Sequence, residues 1–210
     1  MRMVWQDGEH LMTQGDVEAG DVGVLLGIEE LAEVVYTDPP WNAGIAKRMR
    51  QWAGDEGEAD LGHLLDCLAE IIARRARYGF VQMGHGTGAK RLEQALDGAG
   101  LKYQAHECSQ IVNDKTWERG KSALLYAIGA EIVVDPNAGW TNLCRDTIAQ
   151  VAAPGAIVLD PFVGQGMTLR VCDAEGWTCY GMDLNAKRVD EGVKRLLRDR
   201  GTGREGLYES

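Results

Sequence analysis

Short apolar runs separated by glycine recur along the 210-residue chain. Val34-Val35-Tyr36-Thr37, Phe80-Val81-Gln82-Met83, Leu124-Leu125-Tyr126-Ala127-Ile128, Ile157-Val158-Leu159-Asp160 and Cys179-Tyr180-Gly181-Met182 show little polar alternation. That is the pattern of strands buried on both faces. Residues 102–112 mix apolar and polar positions and predict a further, weaker strand. The stretches between have helical period. Over residues 60–77, Leu61, Leu64, Leu65, Leu68, Ile71 and Ile72 form one stripe, as in a helix packed on a sheet. Shorter helices are predicted over 90–98, 143–151, 166–175 and 186–200. Strands alternating with helices imply an α/β layered fold with a mostly parallel twisted sheet and helices on both faces. The polar segments 54–58 and 113–121 read as loops, where substrate contacts usually sit. Residues 1–200 read as one domain and 201–210 as a loose tail.

Composition narrows the class. Hydrophobic residues make up 45% of the chain and charged residues 26%, ordinary values for a soluble globular protein. No apolar run approaches the ~20 residues that span a bilayer, so no membrane partner is expected. The N-terminal segment from Met1 to Asp7 has no signal-peptide core, so a cytoplasmic location is expected. The five cysteines (67, 108, 144, 172 and 179) are scattered, without a C-x-x-C pair and without clustered histidines. They read as free, mostly buried thiols, and no metal site is expected. Net charge is −10 with a pI near 4.9, which fits poorly with phosphate-driven binding to nucleic acid. The basic residues are uneven, though. Lys47, Arg48 and Arg50 form one cluster, Arg74, Arg75 and Arg77 a second, Lys115, Arg119 and Lys121 a third. Each is either solvated helix surface or part of a local basic face.

Two segments carry chemistry. In the first, residues 157–160 form a strand that ends on Asp160 and runs through Pro161-Phe162-Val163-Gly164-Gln165-Gly166 into a helix starting at Met167. Glycine lets backbone approach a ligand closely, and free N–H groups at a helix start receive anionic groups. Such ligands lie outside the carboxyl ends of strands in open α/β sheets. About 20 residues on, a second strand ends at Gly181-Met182-Asp183, where an acid can accept hydrogen bonds from ribose hydroxyls. Strand, glycine turn, helix, strand and acid in this order point to a nucleoside-containing cofactor.

The second segment is Asp38-Pro39-Pro40-Trp41, directly after a buried strand. Two prolines fix φ and remove two N–H donors, so the chain leaves the sheet rigid and extended. This leaves the Asp38 carboxylate and the Pro39 carbonyl as outward acceptors for the two hydrogens of an amino group. Held so, the nitrogen lone pair stays free to attack an electrophile. Trp41 offers a flat face for a base, and stacking of that kind is worth roughly 1–3 kcal/mol.

Together the two segments resemble the permuted, beta-class family of amino-methyltransferases, in which an Asp-Pro-Pro-aromatic element precedes the cofactor loop. The likeness spans roughly residues 15–193. The resemblance implies a Rossmann-like, circularly permuted fold and S-adenosylmethionine as cofactor. It implies that Asp38, Pro39, Pro40 and Trp41 are catalytic and that DNA is the substrate, with adenine N6 the acceptor. It further implies that Asp16, of the Gly15-Asp16 pair, contacts the cofactor adenine. Phe162, Gly164 and Gly166, preceded by Asp160-Pro161, match the family's Phe-x-Gly-x-Gly loop. Thr168 matches a small hydroxyl residue just past it, and Asp183 the acid that holds the ribose. The chain departs from the family pattern at Thr141-Asn142, where a Lys-Pro pair is common, and at Gln165 and Met167, where smaller residues are usual.

An Asp-first signature leans toward adenine, because cytosine enzymes of the family more often carry Ser there and glutamine enzymes Asn. Cytosine N4 and RNA are the nearest alternatives. No long insertion for target recognition lies between the motifs, so sequence choice is either relaxed or supplied by a protein partner or a homodimer. The alternative from a different class is a non-catalytic cofactor-binding or nucleic-acid-binding subunit of a larger methyltransferase, which the intact catalytic residues oppose.

Overall fold

A computed structural model describes residues 1–7, 10–26, 31–55, 57–109 and 122–201. The loop expected over 113–121, with its basic cluster, and the tail after residue 201 lie outside them. The elements follow in chain order: β1 Arg2–Asp7, β2 His10–Gln14, α1 Asp21–Leu26, β3 Ala32–Thr37, α2 Ala43–Ala53, α3 Leu61–Arg75, β4 Ala76–Gly84, α4 Thr87–Gly98, β5 Tyr103–Ser109, β6 Ser122–Ile128, α5 Trp140–Ala149, β7 Ile157–Asp160, α6 Met167–Glu175, β8 Thr178–Asp183 and α7 Ala186–Gly201. All the strands and helices predicted from the pattern are present, the weaker strand being β5.

The eight strands form one sheet in the order β1-β2-β8-β7-β3-β4-β6-β5. β2, β8, β7, β3 and β4 are mutually parallel, while β6 runs antiparallel to β4 and β5, and β1 antiparallel to β2. β1 escaped prediction because it is an edge strand with no fully buried residue, and its one apolar run, Met3-Val4-Trp5, is only three residues long. β2 is short, with only two adjacent apolar residues, Leu11 and Met12, inside a polar N-terminal segment.

Alternation along β3 builds the layers. Val34 and Tyr36 face one core with Phe80, Leu125 and Val158, closed by Cys144 and Ile148 of α5, Leu169 and Cys172 of α6, and Val189, Val193 and Leu196 of α7. Val35 faces the other with Val81, Tyr126 and Leu159, closed by Val22 and Leu25 of α1, Leu65, Leu68 and Ile72 of α3, and Leu92 and Leu96 of α4. Each fully buried Leu or Ile is worth about 1.5–3 kcal/mol of transfer free energy. Helices thus cover both faces, as the unalternating strands require.

The pairing of β2 with β8, Leu11 to Tyr180 through Gln14 to Asp183, joins residues about 170 positions apart. A further hydrogen bond from Gly15 N to Asp183 O, 3.2 Å, continues it. The Gly15-Asp16 pair is thereby set beside the end of β8. β7 lies between β8 and β3, so the glycine loop and the Asp-Pro-Pro-Trp segment leave adjacent strands at the same edge.

Candidate active site

Asp160, at the end of β7, ties these two segments together. Its Oδ1 accepts from the Thr37 hydroxyl (2.7 Å) and from Phe162 N (3.1 Å), and its Oδ2 from the Thr168 hydroxyl (2.6 Å). Burial raises its pKa to about 6, against the lowering effect of these three donors. Both oxygens are therefore engaged with protein groups from β3, the loop and α6. Thr37 was not singled out in the sequence; only its place at a strand end hinted at a role.

The loop beyond bends through two glycines in the left-handed region, Gly164 (φ 53°) and Gly166 (φ 77°). A Cβ on Gly166 would stand 2.9 Å from the Cα of Gly192 in α7. A Cβ on Gly164 would stand 2.9 Å from the Arg188 guanidinium. Only glycine combines that φ with such close approach. Gly164 N donates to Asp183 Oδ2 (3.1 Å) and Asn185 N to Asp183 Oδ1 (2.8 Å), locking the end of β8 to the loop. Burial raises the Asp183 pKa, opposed by these donors and Arg188.

A solvent-open cleft of about 520 Å³ lies over these strand ends. Asp16 comes to it from beyond β2, Pro40 from beyond β3, Phe162 from beyond β7, and Asp183 from the end of β8. Burial raises the pKa of Asp16, with the Arg50 cation pulling it back. Four residues singled out in the sequence thus share one cleft. Asp160, Gly164 and Gly166 stand behind it as its frame, and Asp38, Pro39 and Trp41 stand beside it.

Asp38 follows the last paired residue of β3. Burial lifts its carboxyl to about 7, opposed by a hydrogen bond from the Trp41 indole and reinforced by Asp160. The Trp41 Nε1 donates to Asp38 Oδ1 at 2.5 Å. Trp41 does not project freely. Its indole lies on Gly84, where a Cβ would come within 2.3 Å of the ring, and its carbonyl lies against Gly88, where a Cβ would come within 2.0 Å. The Trp140 ring is its partner, with centroids 6.2 Å apart. The glycines at 84, 86 and 88, after a predicted strand, were the available signal for this seat; Trp140 had none. Asn42 caps α2 by accepting from Ile45 N (2.9 Å), so the Pro-Pro-Trp exit turns directly into a helix.

The basic clusters separate. Lys47 and Arg48 are exposed on α2 beside the Asp38 edge. Arg50, from the same run, is instead paired with Glu18 and Asp55 and stands 3.8 Å from Asp16. It lines the cleft rather than reaching out for phosphate, because these three carboxylates outcompete solvent for a largely buried guanidinium. Arg74, Arg75 and Arg77 sit at the end of α3 and the start of β4, the opposite edge of the sheet from Asp38. Arg77 there pairs with Glu33 at 3.4 Å. Among the described residues no His, Cys, Asp and Glu group is arranged to hold a metal ion, and no helix is long and apolar enough to cross a membrane.

The strand-loop-helix unit after α5 has known counterparts. Residues 141–194 match the DNA methylase family of N6/N4 methyltransferases. This match bears out the family resemblance over the segment that holds the glycine loop and Asp183; Asp38-Pro39-Pro40-Trp41 lies outside it. Type II methyltransferase M.Cfr9I of Citrobacter freundii is 43% identical over 56 residues, 27% of this chain. The chain matches only 19% of that enzyme's length. The fold extends further than the sequence likeness. PvuII DNA methyltransferase (cytosine-N4-specific) superposes with a TM-score of 0.66 over 99% of this chain and 94% of its own, at 14% identity. M1.HpyAVI in its SAM complex gives 0.61 over 88% and 98%, at 15% identity. TTHA0409, a putative DNA modification methylase from Thermus thermophilus, gives 0.60 over 90% and 95%, at 14% identity. The architecture is the Rossmann-like methyltransferase fold in its permuted order, with the Asp38 strand preceding the glycine-loop strand.

Proposed function

We propose that this chain is an S-adenosylmethionine-dependent DNA methyltransferase acting on an exocyclic amine, adenine N6 first. One observation carries the reading: Pro40 of the Asp-Pro-Pro-Trp exit lines the same cleft as Asp16, Phe162 and Asp183. The acceptor-holding segment and the nucleoside-compatible cleft therefore meet.

The cleft suits the cofactor chemically. Asp16 and Asp183 are acids with raised pKa at positions to accept from an adenine amine and ribose hydroxyls. The Phe162 ring offers an apolar wall, and a carboxylate-lined cleft favours a cationic sulfonium. When bound, S-adenosylmethionine supplies an electrophilic methyl group. Gly164 and Gly166 keep the loop backbone close beneath it, and Asp160 holds that loop to β3 through Thr37 and Thr168. Asp38 in its charged form and the Pro39 carbonyl accept the two amine hydrogens and stabilise the positive charge that grows on nitrogen. Alignment of the amine contributes more than proton transfer. Trp41 stacks on the base, after giving up its hydrogen bond to Asp38. For duplex DNA the base is flipped out at a cost of a few kcal/mol, and Lys47 and Arg48 are placed to meet its phosphates. Target recognition beyond this frame comes from a protein partner or a second copy. A cytoplasmic location goes with this reading.

A second reading, cytosine N4, is favoured by the likeness to the PvuII enzyme. Mass spectrometry of nucleosides from DNA incubated with labelled cofactor separates the two. Absence of both N6-methyladenine and N4-methylcytosine, or undiminished product from Asp38→Ala, overturns the proposal.

A further inference from the structure

Gln82 of β4 is fully buried, and neither its Oε1 nor its Nε2 has a hydrogen-bond partner among the described residues. A buried amide with both ends unpaired is rare in folded proteins and calls for a water or a ligand. Its position is informative. Thr37 pairs with Val81 across β3 and β4, so the next residues, Asp38 and Gln82, stand at the ends of adjacent parallel strands. Gln82 shares its face of β4 with Phe80 and Gly84, since side chains alternate. The Trp41 indole lies on Gly84, one step further along that face. Gln82 also pairs with Leu125 of β6, which pairs with His106 of β5. The Nε2 of His106 and the hydroxyl of Tyr36 are likewise buried without partners among the described residues. Unmet polar groups thus share the face of the sheet on which the Trp41 indole lies at Gly84.

We infer that Gln82 reads the ring edge of the acceptor base, its Nε2 donating to the ring nitrogen next to the exocyclic amine that Asp38 holds. The inference rests on the amine-methyltransferase reading above. In adenine that nitrogen is N1 beside N6, and in cytosine it is N3 beside N4; both are acceptors. The Trp41–Trp140 pair is the lid over the slot before the base arrives. Its ring spacing of 6.2 Å and interplanar angle of 39° leave no parallel gap for a base, so entry moves the Trp41 indole off Asp38 and uncovers the amide.

The test pairs a variant with a base analogue. Wild-type protein is given oligonucleotides carrying its acceptor base or the deaza analogue that lacks the ring acceptor, 1-deazaadenine or 3-deazacytosine. The wild type is expected to methylate the analogue about tenfold more slowly or worse, because a site built around a hydrogen bond rejects a substrate that cannot complete it. Gln82→Leu is expected to methylate the natural base about tenfold more slowly than wild type, yet to treat base and analogue within about twofold of each other. It should melt no lower than wild type, since it removes two unmet polar atoms. Gln82→Met serves should the Leu variant not fold. Equal rates on both bases by the wild type overturn the inference whatever the variants do, as does a full analogue penalty in Gln82→Leu or Gln82→Met. Failure of the wild type to methylate any base overturns the parent reading as well, which distinguishes the two outcomes.

Discussion

Replacing Gly192 with alanine is a sharp probe of how the glycine loop is held. Gly192 is buried in the interior of α7, where Gly→Ala ordinarily stabilises a helix by about 1 kcal/mol. Here the added Cβ would lie 2.9 Å from the carbonyl carbon of Gln165 and 3.0 Å from Gly166 N and Cα. All three are backbone atoms, which cannot rotate aside as a side chain does. Reaching ordinary contact, ~3.5–4.0 Å, requires the loop and helix to part by about 0.5–1 Å. Overpacking of that size costs about 1–3 kcal/mol. The propensity gain offsets part of it, so Gly192→Ala is expected to lose about 1 kcal/mol net. Gly166→Ala meets the same helix backbone, with no propensity gain and with a left-handed φ that adds ~1–2 kcal/mol; its loss should be about 2–3 kcal/mol greater. Thermal and urea unfolding of both variants read this out, and calorimetry should show weaker S-adenosylmethionine binding by Gly192→Ala, which touches the loop only from behind. A Gly192→Ala protein that melts 2–4 °C higher, as an unobstructed helix site would, refutes the reasoning.

Methyl transfer should be abolished in Asp38→Asn while cofactor affinity stays within about threefold, measured by calorimetry. The kcat/KM profile of the wild type should rise with a limb near pH 7, because the proposed transfer uses the charged carboxylate and burial holds Asp38 at about 7. Asp160 keeps its proton more readily folded (about 6) than unfolded (near 3.8). Its contribution to stability is therefore present below pH 3.8 and lost as pH rises to about 6, a change of at most about 3 kcal/mol. Asp160→Asn should flatten that part of the urea-midpoint profile. Arg50→Ala should lower S-adenosylmethionine affinity about tenfold, since Glu18, Asp16 and Asp55 lose their shared counter-ion at the cleft.

The layered fold was legible because it is written in local terms. Strands buried on both faces carry unbroken apolar runs, and the stripe over 60–77 became α3, with Asp60 as its cap. The two chemical segments were legible because backbone geometry demands proline and glycine at fixed places. Other features left no local trace. β1 only half-buries Val4 and Trp5 against the core, and the three-residue run Met3-Val4-Trp5 is too short to mark a strand. The antiparallel run of β6 follows from insertion between β4 and β5, a choice of pairing rather than of residue type. Arg50 looked like its exposed neighbours Lys47 and Arg48, and only the fold brought Glu18 and Asp55 to it.

The sequence by itself determined the alternation of elements, the rigid exit after β3 and the glycine turn after β7, because each depends on the φ preferences and periodicity of neighbouring residues. Tertiary structure alone decided that Asp16, Pro40, Phe162 and Asp183 share one cleft, that Asp160 is occupied in holding the frame, that Gly192 must stay glycine, and that Gln82 lies unpaired beside Asp38. Those facts depend on which strands pair and which backbones touch, across separations of up to about 170 residues. No window of neighbouring residues contains that information, since the free energy that sets it is released only when the sheet closes and its two cores are buried.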